Sequence, residues 1–445
     1  MSGADVPPGH ARSDCSYVRQ NVEGRSFDQK VGRDACGYVR QNVEAVRLIE
    51  RSPQMSHGLK NIRNPQLPRV FALCVAPPLL LIVLSSAAPL CAQEKTSSRE
   101  SLLNARPQAW LRRDKPVLTS TDPGQSWRKI VCYSPHVIHH DGKFHMWFLG
   151  TSTASRSNDI VLGYAQSRDG IEWKEHPGNP ILVDRDVSWG KFWQTPFVLF
   201  DKDAGLFKMW FVSGEVKRDE NNKIVANIQK LGYGVSRDGV KWSLHPEPIF
   251  PSGRSPSVIK EGPNRYRMWM NSSPDVEEMG GEIYTNIFEF TSSDGIRWQR
   301  GEQPVVRPSG PGRTVVYPFV LKWRRHPQSE LPRRAGWPHG YSMWYGCHVE
   351  GGRFEIFCAH SRDGTTWKTD HSQPAFPAAA DRDRFDGRYT STPCVVRMSD
   401  RLMLYYSARD WRNDYIDSAG RRRRDGAGVY SHIGLGTMNI PPAQE

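Results

Sequence analysis

From about residue 130 onward, short apolar segments recur in a fixed order, separated by turn residues. A Pro-x-Val segment comes first, Ser134-Pro135-His136-Val137. His145-Met146-Trp147-Phe148 follows, and then Leu162-Gly163-Tyr164-Ala165. A last segment runs from Trp173 to Pro180-Ile181-Leu182. Each has strand length and is bounded by Gly, Pro, Asp or Ser, so the unit predicts four strands. The order returns from Thr195-Pro196-Phe197-Val198, Ser255-Pro256-Ser257-Val258, Tyr317-Pro318-Phe319-Val320 and Thr392-Pro393-Cys394-Val395. Five units of one pattern predict a repeat architecture.

The link between the third and fourth segments is itself a repeat. Ser167-Arg168-Asp169-Gly170-Ile171-Glu172-Trp173 returns from Ser236, Ser292 and Ser361 as Ser-x-Asp-Gly-x-x-Trp, 56 to 69 residues apart. Asp-Gly between apolar segments is a tight-hairpin signal, because Gly accepts positive φ. Unit five stops at its third segment, Ile433-Gly434-Leu435-Gly436. An orphan fourth segment stands ahead of unit one: Trp110, then Pro116-Val117-Leu118. A radial array closes in this way, its N-terminal strand completing the last unit so that no sheet edge stays open. The expected fold is all-β: a five-bladed β-propeller of four-stranded antiparallel blades over residues 107–440, the last blade closed by the strand near 107–118.

The N-terminal quarter reads differently. Within residues 1–59, Cys15-Ser16-Tyr17-Val18-Arg19-Gln20-Asn21-Val22-Glu23 returns 21 residues later from Cys36, ahead of a second Met at Met55. A translated upstream repeat, a misassigned start and a regulatory extension are the readings this leaves, and residues 1–59 are expected to be a non-native or disordered extension. Residues 60–92 have the order of a secretory signal: Lys60, Arg63 and Arg69, an apolar run over 70–84, then small residues to Ala92. The run is short for a membrane span and contains Pro77-Pro78. Residues 93–106 read as a polar linker. The expectation is a secreted or periplasmic monomer with no stable membrane insertion after cleavage.

Composition narrows the partners. With 15 Trp, 38 Gly and 33 Pro, the 445-residue chain suits a turn-rich β protein with aromatic packing. The net charge of +13 is spread out, and Arg421-Arg422-Arg423-Arg424 is the one basic block. Without a basic stripe interleaved with aromatics, no nucleic-acid partner is expected. No Cys-x-x-Cys occurs among the eight cysteines, so neither a structural zinc site nor another cofactor is expected. Cys347 and Cys358 flank Gly351-Gly352 and leave two readings: a cross-strand disulfide, or two buried thiols.

Taken together, the five units, the x-Pro-x-Val first strands, the Met-Trp-aromatic second strands and the Asp-Gly turns resemble the five-bladed β-propeller glycosidases, of the arabinanase, levansucrase, invertase and mannoside phosphorylase types. The resemblance covers about 107–440. It implies a glycosidic-bond hydrolase whose carboxylates stand at the starts of the inner strands, facing a central funnel. Such cleavage needs a carboxylic acid on the leaving oxygen and a carboxylate opposite. Here the positions before the inner-strand Pro hold Ser134, Thr195, Ser255, Tyr317 and Thr392, and the positions before those hold Tyr133, Gln194, Arg254, Val316 and Ser391. None is acidic.

The candidate acids therefore lie on adjoining loops: Asp386 ahead of unit five, Glu215 and Asp410 at equivalent places past the second strands of units two and five, and Asp186 on the loop entering unit two. Arg254, Arg313, Arg388 and Arg409 gather near the strand starts and suit an anionic sugar, sulfate or phosphate, or the pairing of the acids just named. His136, on a first strand, has three readings: acid/base, metal ligand or channel filler. Trp189 and Trp193 are candidates for stacking on sugar faces, or for packing between blades. The expected function is an exported glycoside hydrolase acting on an oligo- or polysaccharide. The alternative is a carbohydrate-binding or scaffold propeller that has lost its strand-start carboxylates.

Overall fold

The computed structural model describes residues 110–152, 160–220, 224–272, 286–309, 314–323, 340–412, 414–416, 422–424 and 430–440. The extension, signal and linker expected over 1–106 lie outside the described residues, as does Arg313.

Each repeat folds as one antiparallel unit. Unit one pairs Val131–His140, Lys143–Thr151, Val161–Ser167 and Lys174–Glu175 in that order. Unit two pairs Gln194–Asp201, Leu206–Arg218, Ile224–Ser236 and Trp242–Leu244, and unit three Arg254–Gly262, Arg265–Asn271, Ile287–Ser292 and Gln299–Val306. Unit four pairs Val316–Lys322, Tyr341–Val349, Arg353–Ser361 and Trp367–Thr369. In unit five, Tyr389–Arg397, Arg401–Arg409 and His432–Asn439 supply three strands. The orphan segment supplies the fourth in two pieces, Leu111 opposite Thr437 and Leu118 opposite Ile433. A single parallel bridge, Phe354 to Tyr389, joins units four and five. The first strands neighbour one another in order, and that of unit five returns to that of unit one, so the contacts form a closed cycle.

The Asp-Gly turn explains how neighbouring units lock. In the first copy, Ser167 Oγ accepts from Gly170 N at 2.8 Å, and Asp169 Oδ1 accepts from Ile171 N and Glu172 N at 2.8 and 2.9 Å. With its N–H groups facing the carboxylate, the turn presents its Gly carbonyl to two donors: the neighbouring unit and, in the second, third and fourth copies, the turn's own Trp at 2.8 to 3.1 Å. Trp147 Nε1 of unit one donates to Gly239 O of unit two at 2.7 Å. Trp210 donates to Gly295 O, Trp269 to Gly364 O, and the Tyr405 hydroxyl of unit five to Gly170 O of unit one, each at 2.8 Å. Each donor ring meets the turn's own Trp edge to face, as Trp147 meets Trp242 at 6.2 Å. Glycine is required here twice over: at Gly239 φ is +76°, and a Cβ would come within 2.9 Å of the Trp147 ring.

Cys347 and Cys358 are not joined in a disulfide. The register puts Cys347 opposite Glu355 and Cys358 opposite Trp344, so the hairpin is offset from the symmetric pairing a disulfide would need.

Candidate functional site

The inner strands share a local distortion. Each carries a bulge at its Pro, between Tyr133 and His136, Gln194 and Phe197, Arg254 and Ser257, Val316 and Phe319, and Ser391 and Cys394. The residue before each Pro lies in the left-handed region, with φ of 53° at Ser134, 41° at Thr195, 58° at Ser255, 59° at Tyr317 and 43° at Thr392. Each such residue costs on the order of 1–3 kcal/mol, and bulges re-aim side chains next to functional sites. Neighbouring units hold the bulges in place. Ser134 N donates to Ser407 Oγ at 2.7 Å, Ser255 N to Thr195 Oγ1 at 3.1 Å and Tyr317 N to Asn271 Oδ1 at 3.3 Å.

Below the bulges the axis is filled. His136 is buried, with Nε2 2.7 Å from Val198 O and its ring 4.3 Å from Phe197. Burial pulls its pKa down to about 4, so it is neutral near pH 7. Of its three readings the geometry favours channel filler. Ser257 and Cys394 stand at the equivalent places of units three and five; Ser257 Oγ accepts from Val320 N at 2.8 Å, and Val137 N donates to Cys394 Sγ at 3.1 Å.

Above the bulges lies a mouth of arginine and tyrosine. Arg254 Nη2 donates to the Tyr317 hydroxyl at 2.6 Å. The Tyr317 ring meets Phe354 at 6.1 Å, and Phe354 stacks on Tyr389 at 5.7 Å. The Arg409 guanidinium lies 4.7 Å over Tyr389 and 3.8 Å over Tyr430, whose ring stacks on Tyr133 at 5.5 Å. Arg388 lies over Tyr389 and Trp411. At the strand starts, two buried oxygens find no hydrogen-bond partner among the described residues: Gln194 Oε1 and Ser255 Oγ. Buried polar atoms are rarely left so. Of the predicted arginines, Arg254, Arg388 and Arg409 come together here. Sequence reasoning missed the tyrosines, although Tyr133 and Tyr317 stand at the strand-start positions where acids were sought.

The predicted acids separate. Asp410 is buried beside the mouth; its Oδ2 accepts from Arg412 Nε at 2.7 Å and lies 3.5 Å from His432 Nε2. Burial would raise its pKa, but the hydrogen bonds from His432 and Arg412 outweigh it and hold the carboxyl below its usual range. His432 in turn meets Thr119 Oγ1 at 2.9 Å, on the closing segment. Glu215 stands at the equivalent rim position of unit two, half-exposed and 2.9 Å from Lys191 Nζ, whose hydrogen bond lowers its pKa.

Asp386 and Asp186 depart from expectation. Asp386 is fully buried on the outer side of unit five, where it accepts from Arg112 of the closing segment, from Tyr406 at 2.7 Å and from Arg384 at 3.2 Å. Fully buried and with its oxygens engaged, it anchors a loop to the closing strand. Asp186 closes a short turn by accepting from Val183 N at 2.7 Å, and that bond explains its place on the loop. Trp193 is core: fully buried, it donates to Val183 O at 2.7 Å and packs 4.4 Å from Phe211, so it offers no face to a sugar. Trp189 stacks on Phe211 at 6.0 Å and stays partly exposed. Among the described residues no three His, Cys, Asp or Glu side chains gather as a metal site, and no helix is long and apolar enough to cross a membrane.

No known family's sequence profile matches the chain. An uncharacterized Mycobacterium tuberculosis protein is 29% identical over 185 residues, 39% of this chain and 56% of that protein. The match thus spans about half the length of that relative. Solved structures share the fold at low identity. One is from the GH130 family of mannoside phosphorylases, described as containing glycoside hydrolases that target β-1,2-mannosidic linkages in Candida mannan; it is 15% identical with a TM-score of 0.51 and covers 76% of this chain and 96% of its own. A putative glycoside hydrolase from Bacteroides ovatus is 16% identical with a TM-score of 0.51, covering 74% and 96%. An N-acetylgalactosamine deacetylase from F. plautii, bound to blood group B trisaccharide, is 15% identical with a TM-score of 0.50, covering 75% and 95%. The likeness to glycosidases read from the repeats therefore holds at the level of fold: an all-β chain of four-stranded antiparallel units with the fold of glycoside hydrolases.

Proposed function

We propose that residues 107–440 form a five-bladed β-propeller whose mouth binds a carbohydrate and cleaves a glycosidic bond in it, outside the cytoplasm. The observation that carries this reading is the cluster of Arg254, Arg388 and Arg409 with Tyr317, Tyr389 and Tyr430 around strand starts where Gln194 Oε1 and Ser255 Oγ have no hydrogen-bond partner among the described residues. A hydroxyl-rich ligand supplies the missing partners, and tyrosine faces suit sugar rings. Asp410 serves as the ionised carboxylate, held so by Arg412 and His432, and Glu215 stands at the matching rim place two units on. Arginine at the mouth suits a sugar carrying carboxylate or sulfate. The closed cycle of first strands and the orphan fourth strand support the blade count.

One observation favours a second reading, binding without turnover. A glycosidase needs a general acid of raised pKa. Asp410 and Glu215 are both held low, and Asp386 and Asp186 are engaged elsewhere. The test is hydrolysis of aryl glycosides and of neutral and acidic polysaccharides by the full chain, beside Asp410→Asn. The expected outcome is turnover that falls by about a hundredfold or more in the variant, the scale of a lost acid or base. Activity untouched by Asp410→Asn removes that residue from the mechanism. Glycan binding without turnover in the wild type selects the second reading.

A further inference from the structure

The seam between units four and five is built unlike the other four. Among the described residues it has no Asp-Gly turn, and a cavity of about 660 Å³ opens there, within the range of small-molecule sites. Arg353 and Glu355, on the third strand of unit four, form one wall. Pro377 to Ala380, on the loop entering unit five, form the floor, and Arg112 and Arg384 the far wall.

The charges around this cavity are balanced. Arg112 and Arg384 both donate to Asp386, Arg384 also reaches Asp114 at 3.0 Å, and Arg353 lies 3.3 Å from Glu355. Three guanidinium groups thus face three carboxylates. The hydrogen bonds are not balanced. Arg353 Nη2 donates to Ala378 O at 2.7 Å and Ala379 O at 3.2 Å, but its Nε is buried with no partner among the described residues. Beside it, buried Glu355 accepts from Ala378 N at 3.1 Å and has further lone pairs facing the same space. The alanines add almost no bulk. An inorganic anion would upset the balance of charge, whereas a sugar supplies hydroxyls that accept from a guanidinium and donate to a carboxylate without adding charge.

We propose that this cavity binds a neutral saccharide unit, with Arg353 and Glu355 reading adjacent hydroxyls and Arg112 and Arg384 closing over them. The site uses neither Asp410 nor Glu215 and does not require the mouth to be catalytic. Because it bridges unit four to the closing segment, the bound sugar ties together the one seam without an Asp-Gly lock, and binding raises the melting temperature.

The experiment is calorimetric titration and thermal unfolding of the full chain with neutral gluco-, manno-, xylo- and arabino-oligosaccharides and with sulfate. It is run on wild type, Arg353→Ala, Ala380→Trp and Asp410→Asn. At least one neutral oligosaccharide is expected to bind and to raise the melting temperature. Arg353→Ala should weaken it by about tenfold or more, the loss of a charge-assisted hydrogen bond. Ala380→Trp, which fills the cavity from an exposed loop position, should weaken it likewise even if Arg353→Ala folds poorly. Asp410→Asn should keep the binding that Arg353→Ala and Ala380→Trp remove, whatever it changes at the mouth. Four results overturn the proposal: no neutral oligosaccharide binds, sulfate alone binds, affinity survives both cavity variants, or affinity falls only in Asp410→Asn, which returns the sugar to the mouth.

Discussion

Four seams of the ring and the fifth solve the same packing problem with different chemistry. At four of them an aromatic on a second strand donates to the carbonyl of an Asp-Gly turn in the next unit. At the fifth, Trp344 of unit four meets Trp110 of the closing segment edge to face at 6.5 Å, against 5.9 to 6.4 Å elsewhere, so the aromatic contact is kept. The Asp-Gly carbonyl is replaced by side-chain pairs from the closing segment, above all Arg112 with Asp386. The carbonyl lock needs an Asp-Gly hairpin between the third and fourth strands of the receiving unit. Unit five takes its fourth strand from the closing segment and has no such hairpin, so charged side chains take its place and a cavity remains beside them.

Removing an indole from a seam should cost the most. Trp210→Ala should cost about 3–5 kcal/mol, since a fully buried ring and its hydrogen bond are lost together. Trp344→Ala should cost about 1 kcal/mol less, the value of one hydrogen bond. Urea unfolding of both variants decides it, and equal losses would mean that the Asp-Gly carbonyl contributes nothing. Arg112→Ala comes next, at about 3 kcal/mol, because Asp386 is left buried with one cation in place of two. In the same melts Asp386→Asn should also lose stability, while the kcat of any activity detected stays put; a fall in kcat at unchanged stability would restore Asp386 as a catalyst.

Glycine substitutions sharpen the comparison further. Gly239→Ala should cost about 2 kcal/mol, combining positive φ with the approach to Trp147. Gly351→Ala, at φ +75° with nothing within 4 Å, should cost only about 1 kcal/mol, and differential melting temperatures separate the two effects.

The smallest expected effect distinguishes the inner seams. His136 holds unit one to unit two, and Cys394 holds unit five to unit one. Only the histidine titrates in acid. Its folded pKa of about 4 lies below the unfolded value near 6.5, so the unfolded chain takes up the proton first. Stability is complete above about pH 6.5 and falls as pH drops toward 4. Half-buried His348 is depressed to about 4 as well, so His136→Gln should reduce this acid slope without abolishing it. An unchanged slope in melts between about pH 7.5 and 4.5 would assign it to other groups.

Much of this architecture was legible along the chain because its cues are local. Strand patterning, Asp-Gly turns and a half-copy at Trp110 all act within a few residues, and their spacing carries the unit count and the place of the orphan strand. The site was less legible. Asp386 reads as a free loop carboxylate because its partner Arg112 lies 274 residues away. Trp193 reads as available to a sugar because a single sequence does not reveal that Val183 O and Phe211 enclose it. Tyr317 and Tyr133 are visible at the strand starts, but their alignment with Arg254, Arg409 and Tyr430 exists only once the units meet. Strands, their turns and the order in which they pair follow from neighbours in the chain, so they are written locally. Which acids are engaged, where polar atoms are left over and which seam holds a cavity emerge on folding, since burial and pairing depend on groups that the chain keeps far apart.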